Sequence, residues 1–282
     1  MPQPAQPTFP TAILNDGREM PQFGYGTLKV SDDEAEKSVS EALNAGYRLI
    51  DTAAIYENEE GVGKALANRH DIFLTTKVWN DSQGHAEAKT AFRESLRRLG
   101  RDEVDLLLIH WPCASRDLYV DTWKALIELR EDGRVKSIGV SNFLPEHIDR
   151  LIEETGVTPT VNQIELHPYF QQREARDYHR KHNIITQAWS PLGRGALLDD
   201  PVIKSIAEEM ETTPAAVILR WHLQSGTAPI PKTSSPDRMR ENASALQVFL
   251  NRDQMGRIDA LDRKDGRIGP DPVKLGNEET AA

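Results

Sequence analysis

The chain has 282 residues, 38% of them hydrophobic and 28% charged, with a formal net charge of −10. That balance fits a folded soluble protein and excludes a disordered one, and without a block of Lys and Arg it argues against nucleic acid or an anionic membrane as partner. Cys113 is the only cysteine, which excludes a disulfide framework or a thiolate zinc site within one chain and suits a reducing, cytoplasmic location.

The chain opens with MPQPAQPTFP, rich in Pro and lacking an apolar core, so it does not read as a signal peptide. Residues 1–10 are expected to be a loose lead-in, and residues 11–282 a single domain. No apolar run approaches the roughly 18 residues that a membrane span needs. TAILNDGREMPQ reads as a hairpin turning at Asn-Asp-Gly. Strand-like segments then alternate with amphipathic ones. They are FGYG (23–26, the weakest), RLID (48–51), IFLTTKVW (72–79), DLLLIHW (105–111), VKSIGVSN (135–142), TVNQIEL (160–166), IITQAWS (184–190) and APIPK (228–232). Most are apolar on successive residues, which suits a parallel sheet covered on both faces.

Helix signals lie between them. Ser31 and Glu34 have capping-box spacing. Pro145, Pro214 and Pro236 stand where a helix would start, because the missing N–H of proline costs nothing in a first turn. Gly46, Gly100, Gly133, Gly156 and Gly226 stand where helices would end. Eight strand–helix units in this length predict a (β/α)8 TIM barrel, which typically needs ~250 residues. The hairpin would then plug the barrel floor. A doubly wound open sheet is the competing architecture. The polar C-terminal DRKDGRIGPDPVKLGNEETAA predicts a loop or tail.

In a TIM barrel, chemistry gathers at the C-terminal ends of the strands. Asp51 ends the second strand, Lys77 lies late in the third and His110 late in the fourth. Ser141 and Asn142 end the fifth, Trp189 and Ser190 the seventh, and Lys232 the eighth. Tyr56, just past the second strand, can fold back over the mouth. A free tyrosine titrates near 10, and a neighbouring lysine would lower that value. An aspartate would hold the lysine, and a histidine could orient a substrate oxygen. Taken singly, each residue has a commoner explanation: a helix cap, a snorkelling lysine, a structural histidine. Their joint placement on successive strand ends points to acid–base chemistry.

The motifs GYRLIDTAAIYENEEGVGKAL, LTTKVWN, DLLLIHWP, SIGVSNF, VNQIELHP and IPKTSSPDRMREN occur in this order, and with them the chain resembles the aldo-keto reductases from about Thr11 to Pro270. Within that family it is most similar to the bacterial 2,5-diketo-D-gluconic acid reductases. The resemblance implies a barrel that binds NADPH without a Rossmann fold, and the chain indeed has no GxGxxG. EEGVGKAL lacks the upstream glycine and the Ser or Thr of a Walker loop.

The resemblance also implies roles. Tyr56 would be the general acid, Lys77 would lower its pKa, Asp51 would pair with Lys77, and His110 would position the carbonyl. Ser141, Asn142 and Gln163 would hold the nicotinamide carboxamide, Trp189 would stack on the ring, and Ser190 and Leu192 would line the pyrophosphate path. Lys232, Thr233, Ser234 and Arg238 surround the helix start at Pro236, an anion site by composition that fits a 2′-phosphate. Glu241 and Asn242 match adenine-contacting positions.

Leu28, Trp79, Trp111 and Cys113 are the candidates for the substrate pocket, with the C-terminal tail as a flap. Leu28 replaces an aromatic common in close relatives, and Ala67–Asp71 is shorter than usual. Trp123 and Trp221 read as packing residues and His167 as structural. No metal is expected: His179 and His182 share a helix face, lack a third ligand and read as solvated. The expected function is NADPH-dependent reduction of small carbonyl substrates, such as keto-sugar acids or methylglyoxal, by a monomer. The alternative is an NADPH-binding redox sensor with little turnover. A barrel hydrolase is a poor third, for want of metal ligands or paired carboxylates.

Overall fold

In the computed structural model, which describes residues 9–275, the chain opens with an antiparallel hairpin of β1 (Thr11–Ile13) and β2 (Glu19–Pro21). Eight parallel strands follow in one sheet: β3 (Tyr25–Gly26), β4 (Leu49–Asp51), β5 (Phe73–Val78), β6 (Val104–Ile109), β7 (Val135–Ser141), β8 (Val161–Glu165), β9 (Ile185–Trp189) and β10 (Ala228–Pro229). Their spatial order follows the chain. The first and last strands meet as well: Gly24 N–H donates to Pro229 O (3.0 Å) and Gly26 N–H to Pro231 O (3.2 Å). The sheet therefore curls into the expected (β/α)8 barrel. A doubly wound sheet would reverse its strand order partway.

Helices alternate with the strands: α1 (Asp32–Asn44), α2 (Glu59–Leu66), α3 (His85–Leu99), α4 (Tyr119–Glu131), α5 (Pro145–Thr155), α6 (Arg173–Lys181), α7 (Pro201–Glu209), α8 (Pro214–Gln224), α9 (Pro236–Ala243) and α10 (Arg252–Asp259). Pro145, Pro214 and Pro236 each begin a helix, as expected, and so does Pro201. Gly46, Gly100, Gly133, Gly156 and Gly226 all take positive φ beyond helix ends. Ser31 and Glu34 do not form the expected capping box. Ser31 Oγ donates to Glu34 Oε2 (3.0 Å), so the two side chains satisfy each other instead of the helix backbone. The glycines of EEGVGKAL serve packing. A Cβ at Gly61 would lie 2.3 Å from Asp32 O, and one at Gly63 2.4 Å from Leu99 O, so α2 sits close against its neighbours.

The strands are apolar on successive residues because both faces are covered. Ile50, Leu74, Leu107, Ile109, Ile138 and Val140 face a core shared with the helices, which also holds Trp123; Trp221 is fully buried in a second core built on α7 and α8. Leu49, Phe73, Leu106, Leu108, Val161, Ala228 and Ile230 cluster inside the barrel with Leu14 and Met20 of the hairpin. Asn15 Nδ2 donates to Pro159 O (2.9 Å), and Ser137 Oγ to Asp16 Oδ2 (2.7 Å), so the hairpin plugs the floor.

Two further expectations need correction. Residues 1–8 of the lead-in lie outside the described part, but Phe9 is not loose. Its ring lies 5.7 Å from Phe23 and 5.4 Å from Tyr47, and Pro10 O accepts from Gln22 N–H. His179 is not solvated: it is buried, with Nε2 at 2.9 Å from Asn162 Nδ2 and Nδ1 at 2.9 Å from Thr186 Oγ1. From Asp262 to Leu275 the C-terminal segment runs as a loop, as expected, and its last residues lie outside the described part. Among the described residues no helix is long and apolar enough to cross a membrane.

The floor plug carries a measurable load. Met20→Ala removes a fully buried side chain from the barrel interior and should cost about 2–5 kcal/mol in urea unfolding. A loss below ~1 kcal/mol would mean that the hairpin rests on the barrel without closing it.

Candidate active site

At the C-terminal end of the barrel the interior turns from apolar to polar. Strand register places Asp51 beside Thr75, Lys77 beside Leu108 and Ser141 beside Gln163. Alternation along β5 puts Phe73 and Lys77 on the same inward face, with the lysine at the upper end.

Lys77 is the centre of this layer. It is 1% exposed, and its Nζ donates to Asp51 Oδ1 (2.6 Å), Thr52 O (2.9 Å) and Tyr56 Oη (3.4 Å). The second Asp51 oxygen accepts from Gln163 Nε2 (2.7 Å), which also donates to Gln187 Oε1 (2.7 Å). The His110 ring stands edge-on to Tyr56 at 5.7 Å and to Trp79 at 5.0 Å. Its Nδ1 is buried without a hydrogen-bond partner. The four residues Asp51, Tyr56, Lys77 and His110, far apart in sequence, thus share one mouth.

Tyr56 reaches this position because its loop is pinned. The turn Ala54–Tyr56 ends at Glu57, which takes a left-handed conformation (φ 53°). Asn58 then ties the loop down. It accepts from Thr52 Oγ1 (2.7 Å) and donates to Thr27 O (3.0 Å) and Val30 O (2.9 Å).

The electrostatics follow from burial and neighbours. Burial alone would lower the Lys77 ammonium, but Asp51 and Tyr56 outweigh it and hold it above its ordinary value. Burial drives His110 well below the ordinary histidine value, and the Lys77 cation adds to this, so the imidazole is neutral. For Tyr56 the expectation is half met. The Lys77 charge does lower its pKa, but burial is the larger effect and the phenol ends above its ordinary value. Tyr56 therefore stays protonated at neutral pH and can donate.

The expected cofactor residues fall into two groups. Ser141 Oγ donates to Gln163 O (2.8 Å), Asn142 Nδ2 donates to His110 O (3.0 Å) and Ser141 Oγ (3.0 Å), and Trp189 Nε1 donates to Asn142 Oδ1 (2.8 Å). Asn142 and Ser190 take left-handed φ of 63° and 48° just past their strands. Leu192 is half-buried and packs into the core. Lys232, Thr233, Ser234, Ser235 and Arg238 line an open basin of ≈ 460 Å³ around the start of α9. Lys232 and Arg238 are exposed, and among the described residues no acid pairs with either. Glu241 is half-buried nearby, whereas Asn242 is buried and reaches the Tyr47 hydroxyl instead of facing the basin.

The expected pocket residues divide too. Leu28 is 49% exposed and Trp79 half-buried at the mouth, while Trp111 and Cys113 are buried. Burial pushes the Cys113 thiol up to about 11, so it is not a thiolate. His167 is buried, with Nε2 at 2.9 Å from Glu165 Oε1. Thr52, Asn58, Gln187 and Glu165 join the site without matching any of the expected roles. Gln187 and Glu165 carry the same signal as Asp51, a polar side chain inside an apolar strand; Asn58 carries none. Among the described residues no group of three or more His, Cys, Asp or Glu could hold a metal.

The chain is similar to known proteins along nearly its whole length. The aldo/keto reductase family profile matches residues 20–263. An aldo-keto reductase of Mycolicibacterium smegmatis is 51% identical over 93% of this chain and 97% of its own. The methylglyoxal reductase DkgA of Escherichia coli is 47% identical over 95% of this chain and 98% of its own. Among solved structures, a mutant of Gox0644 in complex with NADPH has a TM-score of 0.93 at 52% identity, covering 94% of this chain and 98% of that one. The aldo/keto reductase of Brucella melitensis has a TM-score of 0.89 at 56% identity, covering 91% and 99%. This chain belongs to the aldo/keto reductase family.

Proposed function

We propose that this protein reduces carbonyl groups of small aldehydes and ketones with NADPH, with Tyr56 as the general acid. The observation that carries the reading is the buried line from Asp51 through Lys77 to Tyr56, with a neutral His110 beside it. When bound, NADPH supplies the hydride.

The residues fit that cofactor. The basin at α9 offers two cations without acidic partners among the described residues, hydroxyls and a helix N-terminus, a set suited to the 2′-phosphate. Ser141, Asn142 and Gln163 present amide and hydroxyl groups for the carboxamide, Trp189 a half-open ring for stacking, and Ser190 and Leu192 a path for the pyrophosphate. Glu241 remains the candidate for the adenine.

The chain's own work is proton transfer and orientation. The neutral His110 has one N–H to offer the carbonyl oxygen, which fixes the carbonyl beneath Tyr56. As negative charge grows on that oxygen, Tyr56 donates its proton. The phenolate left behind faces the Lys77 ammonium, 3.4 Å away. Asp51 keeps that ammonium charged and in place. Methylglyoxal is favoured on the likeness to the methylglyoxal reductase DkgA, and keto-sugar acids on the motif resemblance and the open mouth at Leu28.

The direct test is NADPH consumption with methylglyoxal, 2,5-diketo-D-gluconate and simple aldehydes, with NADH in parallel. Tight NADPH retention without turnover on this panel would favour the redox-sensor alternative. Tyr56→Phe should lower kcat by about 10²–10⁴-fold while leaving NADPH affinity intact; wild-type rates would remove Tyr56 from its role. Lys232→Gly combined with Arg238→His should weaken NADPH at least about tenfold and spare NADH. Equal losses for both cofactors would remove the 2′-phosphate assignment. Asp51→Asn strands a buried ammonium and should cost about 3–5 kcal/mol in urea unfolding; an unchanged midpoint would mean that Lys77 does not depend on Asp51 for its charge.

A further inference from the structure

The C-terminal loop is fastened to the barrel mouth at two places of different character. Residues 263–267 are held by the β8–α6 connection. Arg263 N–H donates to Tyr169 O (3.0 Å), the Arg263 guanidinium lies 3.6 Å from the centre of the Tyr169 ring, and that of Arg267 lies 4.6 Å from the Phe170 ring. The next two residues are held by a single side chain of the barrel. Glu165 Oε1 accepts from Ile268 N–H (2.7 Å) and Oε2 from Gly269 N–H (2.8 Å).

Glu165 is itself 1% exposed, at the inward-facing end of β8 and in register with Trp189. His167 Nε2, at 2.9 Å from Oε1, completes its hydrogen bonding as a donor. Burial would raise the Glu165 pKa, but His167 and the two amides bring it below the ordinary carboxylate value. It is a charged acceptor with nothing to neutralise in the Asp51–Lys77 pair, and the proton-transfer reading leaves it unused.

What the clasp holds down is the edge of Trp189. At Gly269 a Cβ would lie 2.3 Å from Trp189 Cη2 and 2.8 Å from Glu165 Oε2, so the loop backbone lies directly on the indole and on the carboxylate. The far side of that indole is tied as well, because Nε1 donates to Asn142 Oδ1, and Asn142 Nδ2 donates to the His110 carbonyl. The ring is therefore gripped between the loop and the residues that surround His110.

We propose that Glu165 is a positioning residue: its carboxylate clasps Ile268 and Gly269 across the mouth, and through them it sets the Trp189 indole, the ring offered above for stacking on the nicotinamide. The contribution to carbonyl reduction rests on the function proposed above; the grip on Trp189 does not.

The test uses the full chain with Glu165→Gln, which keeps the shape but replaces a charged double acceptor with an amide that has one acceptor oxygen. Gly269→Ala leaves Glu165 intact and forces the loop off the indole. Each variant should raise KM for NADPH about tenfold with kcat at saturating NADPH held within about twofold, the pattern of lost binding rather than lost chemistry. Because both act through one clasp, the double variant should be no worse than the worse single variant. In protein without cofactor, the amides of Ile268 and Gly269 and the indole N–H of Trp189 should exchange about tenfold faster with solvent in both variants, as followed by NMR.

Lower thermal stability with an unchanged KM would make Glu165 merely structural and overturn the proposal. Faster exchange at the loop amides with an unchanged Trp189 indole would overturn it too, because the clasp would then not reach the ring. If the wild-type protein reduced no carbonyl, the function reading would fail by itself, and the indole exchange would still decide whether Glu165 holds Trp189.

Discussion

The burial of one ammonium group governs the upper half of this barrel. Lys77 sits almost entirely out of water inside a β-strand, a position that would cost several kcal/mol without partners. Asp51 provides the opposing charge, the Thr52 carbonyl and the Tyr56 hydroxyl take the remaining donors, and Gln163 holds the second oxygen of Asp51. The partners come from the end of β4, the loop that follows it and β8, so the pair can be satisfied only when β4, β5 and β8 are in register. The same requirement fixes the place of the phenol. A lysine that must stay charged in a dry interior gives Tyr56 a permanent positive neighbour.

The two ends of the barrel divide stability and chemistry between them. The lower interior is apolar and closed by Leu14 and Met20, which can be buried without hydrogen-bond partners. The upper interior is polar and retains unpaired atoms, among them His110 Nδ1, Thr75 Oγ1 and Gln187 Nε2. Buried polar atoms without partners are costly, and these three lie in the polar upper layer where a ligand would arrive, whereas Trp123 Nε1 lies in the helix-side core. The apolar floor and the helix-covered outer face offset that cost.

Much of this was legible in the sequence because the signals are local. Proline at Pro145, Pro214 and Pro236 fixes a helix start whatever surrounds it, and an apolar run ending in Asp51 announces both a buried strand and a polar end. The failures share a cause. Ser31 and Glu34 have the spacing of a cap, but two side chains that can bond each other need not bond the backbone. His179 looks solvated beside His182 until β8 and β9 supply Asn162 and Thr186. The rise of the Tyr56 pKa depends on how much water the finished mouth excludes, and the clasp at Glu165 on where a loop a hundred residues later comes to rest. Spacing along the chain cannot convey any of these.

Cys113 brings a different kind of consequence. It is the only thiol in the sequence, it is fully buried, and its backbone takes a left-handed φ of 42° beside the mouth. Thiol reagents act on the exposed thiolate, so the folded protein presents them with almost no target. The chain is thereby a nearly silent background for site-directed labelling: a cysteine introduced on the C-terminal loop or at the rim could carry a spin or fluorescent probe without removing the native residue.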